Sequence, residues 1–334
     1  MTNTTILLLC GGGSSEHEVS LVSADYVQAQ LESIEHYDVV RVEITQEGWF
    51  CSNEMVYLDT NKGTLNFPTK ATKVDFAVPC IHGYPGETGD IQSMLELANV
   101  PYLGCGPEAS TNCFNKITSK LWYDTLSIPN TPYIFLSENS QQAYEKSLAA
   151  YDKWGNVFVK AARQGSSVGC YKVTEKGQLK DAIDNAFKYS DQVLVERAVK
   201  PRELEVAAFE FEGKLHITPP GEIKAPEDSF YSYDEKYSAT SKSVTDVEAS
   251  ELTDEQRSII EESSRKVFEQ LKLRHLSRID FFLTPDGQVY LNEVNTFPGM
   301  TPISMFPKML EHTGLKFVDF LKDCVEMSLS GRDS

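Results

Sequence analysis

The chain has 334 residues, of which 41% are hydrophobic and 24% charged, which is typical of a globular protein with room for two or three domains. A formal net charge of −18 opposes binding to nucleic acid and to anionic membranes, so small-molecule partners are expected. Seven cysteines without CxxC spacing indicate free thiols in a reducing compartment, and a cytoplasmic location is expected because neither a basic leader nor a membrane-length apolar run is recognisable.

The first third of the chain alternates between strand and helix patterns. Apolar runs predict strands over residues 5–9, 38–44 and 76–81, and helical spacing predicts helices over residues 18–31 and 90–98. This alternation is typical of an open α/β sheet.

The middle of the chain has the pattern of a smaller α+β module. Helices are predicted over residues 115–125 and 176–188, and strands over residues 157–160, 171–173 and 192–197. The strands enclose a glycine-containing loop.

The last third is richer in strands. Strands are predicted over residues 204–211 and 215–217, and helices over residues 253–271 and 315–329. Between the two helices lies an acidic hairpin pattern.

That hairpin has two apolar runs around the turn Pro-Asp-Gly at residues 285–287, which brings Asp280 alongside Glu293. Because side chains alternate along a strand, Asn295 lies on the same face as Glu293. Three oxygen ligands beside Arg278 suit Mg²⁺ that carries substrate phosphates. A solvated hairpin with ordinary surface acids is the alternative.

A second candidate is the loop Gly-Ser-Ser-Val-Gly at residues 165–169, which lies between two strands and is therefore not a Walker A motif. Its backbone N–H groups could cover phosphates, although a plain tight hairpin has the same pattern. Lys160 ends an apolar strand, where an unpaired ammonium is costly to bury. A phosphate would neutralise this ammonium. Lys116 precedes the loop in sequence. Glu196 and Glu203 could accept hydrogen bonds from an adenine and a ribose, or be surface charges.

A glycine turn at residues 11–18 opens the first helix, where α/β sheets bind ligands. Glu16 in this turn would repel a pyrophosphate and favours a ligand with an ammonium group; an acidic first helical turn is the alternative. His82 ends another strand of the same sheet, where a structural histidine is the default. Lys236 and Tyr237 lie in a tyrosine-rich segment that could close over a site or be merely exposed.

These strings occur in the order found in the D-alanine–D-alanine ligase family of ATP-grasp enzymes, which the chain resembles over nearly its whole length. They are GGGSSEHEVSL, IHG, GETGDIQSMLELANVPYLGCG, NKITSK, VKAARQGSSVG, VLVER, FYSYDEKY, RIDFF and LNEVNTFPGMTPIS. The resemblance implies a mixed α/β and α+β fold of three domains. They would be an amino-terminal open α/β (preATP-grasp) domain at residues 1–114, a central ATP-grasp subdomain with a glycine lid at 115–198, and a carboxyl-terminal ATP-grasp subdomain at 199–334.

The resemblance also implies the activity. ATP would convert one D-alanine into an acyl phosphate, and the amine of a second D-alanine would attack it to give D-alanyl-D-alanine, ADP and phosphate for peptidoglycan precursors. The expected cofactors are ATP with two Mg²⁺ or Mn²⁺ ions, and the expected assembly is a homodimer.

The resemblance assigns roles to matched residues. Glu16 and His82 would bind the first D-alanine, and Ser304 the second. The nucleotide would contact Lys116, Lys160, Ser166, Ser167, Glu196, Arg197, Val199 and Glu203, and the metal ions Asp280, Glu293 and Asn295. The other catalytic groups would be Arg278 and the N–H of Gly299 as oxyanion hole, Lys236 at the transferred phosphate, and Tyr237 linked through Ser166 to Glu16.

Four positions depart from the family pattern: Asn115, Ala161, Gln164 and Met305. None of them is a metal ligand or an oxyanion donor. Enzymes that join D-alanine to D-lactate or D-serine are the nearest alternative, but the intact Glu-Lys-Tyr at residues 235–237 favours the dipeptide-forming type. A dinucleotide-binding oxidoreductase and a noncatalytic ATP-binding protein are alternatives from other classes.

Overall fold

The structure is a computed structural model and describes residues 3–224 and 244–331. Its strands form three sheets, which follow one another along the chain. No helix in these two ranges is long and apolar enough to cross a membrane.

The first sheet has seven strands in the order β6-β5-β4-β3-β2-β1-β7, with β1 parallel to both of its neighbours. The strands are β1 Thr4–Gly11, β2 Tyr37–Ile44, β3 Trp49–Cys51, β4 Glu54–Asp59, β5 Thr64–Asn66, β6 Ala71–Lys73 and β7 Phe76–Pro79. The helices that follow β1 and β7 are α1 His17–Glu32 and α2 Asp90–Leu97. The predicted α/β alternation is confirmed, whereas the antiparallel extension β3 to β6 was not predicted.

Two helices connect the first sheet to the rest of the chain, α3 Pro107–Phe114 and α4 Lys116–Thr125. The side chain of Asn115 caps α4, since its Oδ1 accepts hydrogen bonds from the N–H groups of Ile117 at 3.0 Å and Thr118 at 3.4 Å. Both helices contribute to a hydrophobic cluster with the third sheet. The domain boundary after residue 114 stays a prediction.

The second sheet has four strands in the order β10-β9-β11-β8, and all its pairs are antiparallel. The strands are β8 Tyr133–Leu136, β9 Val157–Ala161, β10 Cys170–Val173 and β11 Val193–Arg197, and the helices are α5 Gln141–Trp154 and α6 Leu179–Ala186. The helix predicted from residue 176 begins as a 3₁₀ turn, Lys176–Gln178, because Glu175 and Gln178 form a capping box there.

The third sheet contains the longest strands and the predicted hairpin. Its strands are β12 Arg202–Phe211, β13 Lys214–Ile217, β14 Gly221–Lys224, β15 Val244–Asp246, β16 Leu276–Leu283 and β17 Val289–Asn295. The remaining helices are α7 Asp254–Gln270, α8 Met305–His312 and α9 Phe317–Leu329. Strand β16 pairs with β17 in a register that places Asp280 opposite Glu293 and Arg278 opposite Asn295, so the predicted hairpin is confirmed.

The first and third sheets share one hydrophobic core. Side chains of β1, α1 and β7 lie in the same buried cluster as side chains of β12, α8 and α9. Tyr26 of α1 stacks on Phe317 of α9 with ring centroids 5.5 Å apart. The second sheet packs its own cluster with α5 and α6. The cleft between the sheets is therefore bordered on one side by the first and third sheets, which share a cluster, and on the other side by the second sheet, which has a separate one.

Candidate active site

A cavity of about 810 Å³ is lined by side chains from all three regions of the chain. It brings together many of the residues predicted from the sequence: Glu16, His82, Lys116, Ser166, Arg278, Glu293, Asn295, Gly299 and Ser304. The other predicted residues within the described ranges are not part of this lining: Lys160, Ser167, Glu196, Arg197, Val199, Glu203 and Asp280. Lys236 and Tyr237 lie outside the described residues.

Glu16 occupies the amino-terminal end of α1 and is only 7% exposed. The hydroxyl of Ser166 donates to its Oε1 at 2.5 Å, so the glycine loop of the second sheet touches the glycine turn of the first. Two glycines make room for this carboxylate: a Cβ on Gly83 would lie 2.4 Å from Oε2, and one on Gly165 would lie 2.8 Å from it. The carboxylate is thus held at a junction between two sheets.

His82 is buried in the cavity wall, and its ring contacts two groups. Its Nε2 lies 2.8 Å from Ser23 Oγ and its Nδ1 lies 3.3 Å from the carbonyl oxygen of Phe297. Burial lowers the pKa of His82 to about 4, so the ring is neutral at physiological pH.

Glu87 also lines the cavity and was not predicted. Its carboxylate accepts hydrogen bonds from the backbone N–H of Gly83, at 2.7 Å, and of Phe297. Burial, followed by the nearby Glu16 carboxylate, raises the pKa of Glu87 to about 8. A single glutamate in a loop carries no recognisable sequence signal, because its neighbours come from distant segments.

Arg278 lies at the centre of a cluster of carboxylates. Its guanidinium binds Asp280 through two hydrogen bonds of 2.7 Å and lies 3.2 Å from Oε2 of Glu205. Burial alone would lower its pKa, but Asp280 and Glu205 outweigh burial and hold the pKa well above its ordinary value. Arg278 is therefore a permanent cation facing the cavity.

The three predicted metal ligands are adjacent. Asn295 Nδ2 donates to Oδ2 of Asp280 at 3.0 Å, and Glu293 lies opposite Asp280 in the hairpin. The ammonium of Lys116 is 3.8 Å from Oε2 of Glu293. Two carboxylates and an amide oxygen, supplemented by phosphate oxygens, are a donor set that fits Mg²⁺ or Mn²⁺. Among the described residues, no group of three or more His, Cys, Asp or Glu side chains is arranged to hold a metal ion.

A buried charge cluster lies behind the glycine loop. Glu196 is 2% exposed and accepts from Thr131 Oγ1, while its two carboxylate oxygens lie 2.9 Å from Lys160 Nζ and 3.2 Å from Lys120 Nζ. Glu196 is thus a partner for Lys160 within the protein, so burial of this ammonium does not require a phosphate. The contact of Lys160 with a phosphate stays a prediction. Burial would raise the pKa of Glu196, but the two lysines outweigh it and lower that pKa.

This cluster nevertheless retains an excess of positive charge, since two lysines share one carboxylate. Lys120 was missed by the sequence reasoning, although it stands one helical turn after Lys116 on α4. The ammonium of Lys116 donates to the carbonyl oxygen of Gln164 at 2.8 Å and so reaches the start of the glycine loop. These lysines would attract an anionic ligand to this side of the cavity.

The other residues predicted to contact a nucleotide lie at the end of β11, near the start of β12 and in the connection between these strands. Arg197 ends β11; its Nη2 donates to the hydroxyl of Tyr290 at 3.2 Å, and its guanidinium carbon lies 5.7 Å from the centre of the Tyr290 ring. Glu203 lies in β12 opposite Ile223, and Val199 is in the connection between β11 and β12. Their contact with a nucleotide stays a prediction.

Gly299 and Ser304 are neighbours in the segment between β17 and α8. A Cβ on Gly299 would lie 2.9 Å from Ser304 Oγ, which in turn accepts from the backbone N–H of Thr301 at 3.1 Å. Gly299, Arg278 and Glu16 line the same cavity.

Two family profiles match the chain. The profile described as D-ala D-ala ligase N-terminus matches residues 5–105, and the one described as D-ala D-ala ligase C-terminus matches residues 122–326. The chain belongs to the D-alanine–D-alanine ligase family.

Members of this family resemble the chain from end to end. A D-alanine–D-alanine ligase from Vibrio atlanticus is 66% identical over 331 residues, which cover 99% of this chain and 100% of the relative. The solved D-alanyl-alanine synthetase A from Vibrio cholerae superposes with a TM-score of 0.95 at 65% identity, with 99% of each chain covered. The VanG D-Ala:D-Ser ligase from Enterococcus faecalis superposes with a TM-score of 0.86 at 28% identity, covering 98% of this chain and 99% of that one.

These likenesses confirm the predicted family and the ATP-grasp fold class, and they make the chain a ligase. They do not favour the oxidoreductase alternative, which depended on the glycine turns alone.

Proposed function

We propose that this protein joins two molecules of D-alanine to D-alanyl-D-alanine, converts ATP to ADP and phosphate, and so supplies peptidoglycan precursors. The observation that carries the proposal is the single cavity that contains Glu16 on one side and Arg278, Glu293 and Gly299 on the other. It combines an anchor for an ammonium group with a cation and an N–H group for developing negative charge. The full-length likeness to the Vibrio ligases supports the choice of substrate.

The chemistry proceeds in two steps because a carboxylate is a poor electrophile. An oxygen of the first D-alanine's carboxylate attacks the γ-phosphorus of ATP, ADP leaves, and an acyl phosphate forms. The amine of the second D-alanine then attacks the carbonyl carbon, phosphate leaves, and the amine loses a proton to give the peptide bond. Such reactions are accelerated mostly by positioning and by neutralising charge.

The substrates would be held by groups that line the cavity. Glu16 binds the ammonium of the first D-alanine, with its carboxylate oriented by Ser166, and Ser304 binds the carboxylate of the second. Arg278 and the N–H of Gly299 stabilise the oxyanion of the tetrahedral intermediate.

The nucleotide would lie between the second and third sheets. Lys116 and Lys160 contact its phosphates, Ser166 and Ser167 cover them, and the adenosine side is formed by Glu196, Arg197, Val199 and Glu203. Lys236 and Tyr237, which lie outside the described residues, are assigned to the transferred phosphate and to the Ser166–Glu16 contact by resemblance alone.

Asp280, Glu293 and Asn295 would hold two Mg²⁺ or Mn²⁺ ions. When bound, the ions screen the negative charge of the phosphates and so favour attack by a carboxylate. In this structure Arg278 binds Asp280 and Lys116 lies 3.8 Å from Glu293, and this pairing of the two carboxylates with cations supports the proposal.

The substrate assignment is tested by phosphate release from ATP with D-alanine as the only amino acid and with D-lactate or D-serine added in parallel. We expect release with D-alanine alone. A protein that releases phosphate only when D-lactate or D-serine is present would belong to the alternative type, for which the 28% identical D-Ala:D-Ser ligase is the structural relative.

The organisation of the molecule is part of the proposal. Domains at residues 1–114, 115–198 and 199–334, a homodimeric assembly and a cytoplasmic location all agree with a soluble biosynthetic enzyme. Sedimentation equilibrium tests the assembly, and a monomer at micromolar concentration would contradict it.

A further inference from the structure

The segment Phe-Pro-Gly-Met at residues 297–300 carries Gly299, and we call it the oxyanion loop. It leaves the third sheet after β17 and reaches the first sheet before α8 begins. Its two ends are hydrogen-bonded to polar groups of the first sheet and of α1.

Three hydrogen bonds form a continuous relay at these ends. The N–H of Met300 points to Ser23 Oγ at 3.4 Å, Ser23 Oγ lies 2.8 Å from Nε2 of His82, and Nδ1 of His82 lies 3.3 Å from the carbonyl oxygen of Phe297. The relay thus starts at one end of the oxyanion loop and returns to the other end. Gly299 lies between the two attachment points.

With a neutral His82 ring, one arrangement of protons satisfies the whole relay. The carbonyl oxygen of Phe297 can only accept, so Nδ1 carries the ring proton and donates it there. Nε2 then accepts from the hydroxyl of Ser23, whose oxygen accepts from the N–H of Met300. A neutral ring is required for this tautomer, and the low pKa of His82 agrees with it.

The groups of the relay are closed to solvent. Ser23 is 0% exposed and His82 is 3% exposed, so water has little access to replace a lost hydrogen bond. Glu87 adds a further attachment, because its carboxylate accepts from the N–H of Phe297 and of Gly83. The first sheet therefore holds the backbone on both sides of Gly299.

We propose that Ser23 and His82 are positioning residues that aim the N–H of Gly299 at the oxyanion. The inference rests on the proposed function, since it concerns how the ligation step is accelerated. It assigns His82 to the oxyanion loop, and not to contact with the first D-alanine. A donor that is misaligned by even an ångström loses much of its effect on the transition state while ground-state binding persists.

The test compares Ser23→Ala with Ser20→Ala. Ser20 is also 0% exposed on α1 and also makes two hydrogen bonds, but its partners are Gly11 N at the end of β1 and Cys80 O directly after β7. We expect Ser23→Ala to lower kcat about tenfold with the KM values for ATP and D-alanine within about twofold of the wild type. Ser20→Ala should change kcat less than about twofold despite a similar loss of thermal stability.

Amide hydrogen exchange gives a readout that does not need activity. The peptide containing residues 297–300 should exchange faster in Ser23→Ala than in the wild type or in Ser20→Ala. If the wild type forms no dipeptide, the proposed function fails, while this exchange comparison still tests the attachment.

A double-mutant cycle tests whether the two residues act as one unit. His82→Asn keeps a donor near the position of Nδ1 and removes the contact with Ser23. The double variant should then be no slower than the slower single variant, because each change breaks the same relay. Fully additive effects, a raised KM for D-alanine with unchanged kcat, or equal losses in Ser20→Ala would each overturn the proposal.

Discussion

At the scale of single residues, Arg278 and Lys116 are the cations that balance the negative charge of the acidic hairpin. Arg278 binds Asp280 with two hydrogen bonds of 2.7 Å, and Lys116 lies 3.8 Å from Glu293. Closely spaced carboxylates repel each other unless cations share them. Arg278 and Lys116 therefore offset the charge of the hairpin carboxylates within the protein itself, and we expect the proposed metal ions to act in catalysis and not in folding.

Replacing Glu293 by Gln should separate these two roles. The amide keeps the size of the side chain, and its contact with Lys116 is long, so the protein should keep its fold. Loss of a metal ligand should lower kcat at least about a hundredfold at saturating Mg²⁺. Steady-state kinetics and circular dichroism check both parts.

The matched control is Glu269→Gln, which changes an exposed carboxylate in the last turn of α7. It should be fully active. Wild-type turnover in Glu293→Gln would refute the assignment of this ligand.

His82 should make the protein sensitive to acid. Its pKa is about 4 in the folded protein and about 6.5 in an unfolded chain, so between these values the unfolded chain binds one more proton. Stability therefore falls as pH falls from about 6.5 to 4, by about 3 kcal/mol from this group.

Urea unfolding of the wild type and of His82→Asn at several pH values measures this contribution. The variant should start less stable at neutral pH and lose less stability towards pH 4. Parallel curves for the two proteins would show that His82 does not titrate with a lowered pKa.

At the scale of elements, the glycine loop between β9 and β10 joins the second sheet to the first. Ser166 donates to Glu16, and Gly165 lies so close that a Cβ there would be 2.8 Å from the same carboxylate. The atom that this Cβ would approach lies at the end of the flexible Glu16 side chain. A methyl group at residue 165 should therefore displace Glu16 without unfolding the protein.

Gly165→Ala should lower kcat/KM for D-alanine about tenfold and change the unfolding free energy by less than about 1 kcal/mol. Gly177→Ala is the control, because a Cβ at residue 177 meets no atom within 4 Å. Titration with D-alanine at saturating ATP measures the effect. Equal kinetics in the two variants would mean that Glu16 does not anchor the substrate.

The elements that sequence predicted are the long, periodic ones. Strand β1, helix α1 and the hairpin of β16 and β17 were predicted because each has a clear apolar period and turn residues at its ends. Strands β3, β5 and β6 have three residues each, too few to show a period. The fully buried side chains of helix α5 are all small, those of Ala143, Ser147 and Ala150, and its larger apolar side chains are only partly buried.

The residues of the candidate site that could be predicted are likewise those that lie in local motifs. Glu16, Glu293 and Asn295 lie in motifs whose local geometry points to a ligand. Ser23 and Glu87 act through backbone groups more than 200 residues away, and no local pattern marks such contacts. Long-range hydrogen bonds of this kind appear only once the fold is known.

At the scale of the whole molecule, the described part of the first and third sheets shares one hydrophobic cluster, although each sheet also packs a further cluster of its own. The second sheet has a separate cluster. We therefore expect that a substitution in α9 that weakens the shared cluster also destabilises the first sheet. Phe317 of α9 is 1% exposed and stacks on Tyr26.

Phe317→Ala should lower the unfolding free energy of the shared core by about 3–5 kcal/mol. The chain has three tryptophans, and single-tryptophan variants that keep Trp49 or Trp154 report on the first and second sheets, respectively. Under urea, the Trp49 transition should shift with Phe317→Ala and the Trp154 transition should shift less.

Leu97→Ala is the control, since Leu97 is 76% exposed at the end of α2 and its loss should cost less than about 0.5 kcal/mol. An unchanged Trp49 transition in Phe317→Ala would contradict a core shared by the two sheets.

ATP-dependent ligation of two D-alanines would take place in one cavity that residues from all three regions of the chain line. To test it, the protein is incubated with ATP, Mg²⁺ and D-alanine alone, and phosphate and D-alanyl-D-alanine are quantified in the same samples by colorimetry and mass spectrometry. We expect one dipeptide for each phosphate released, and no phosphate when L-alanine replaces D-alanine. Phosphate release without dipeptide, or no reaction with D-alanine, would contradict it.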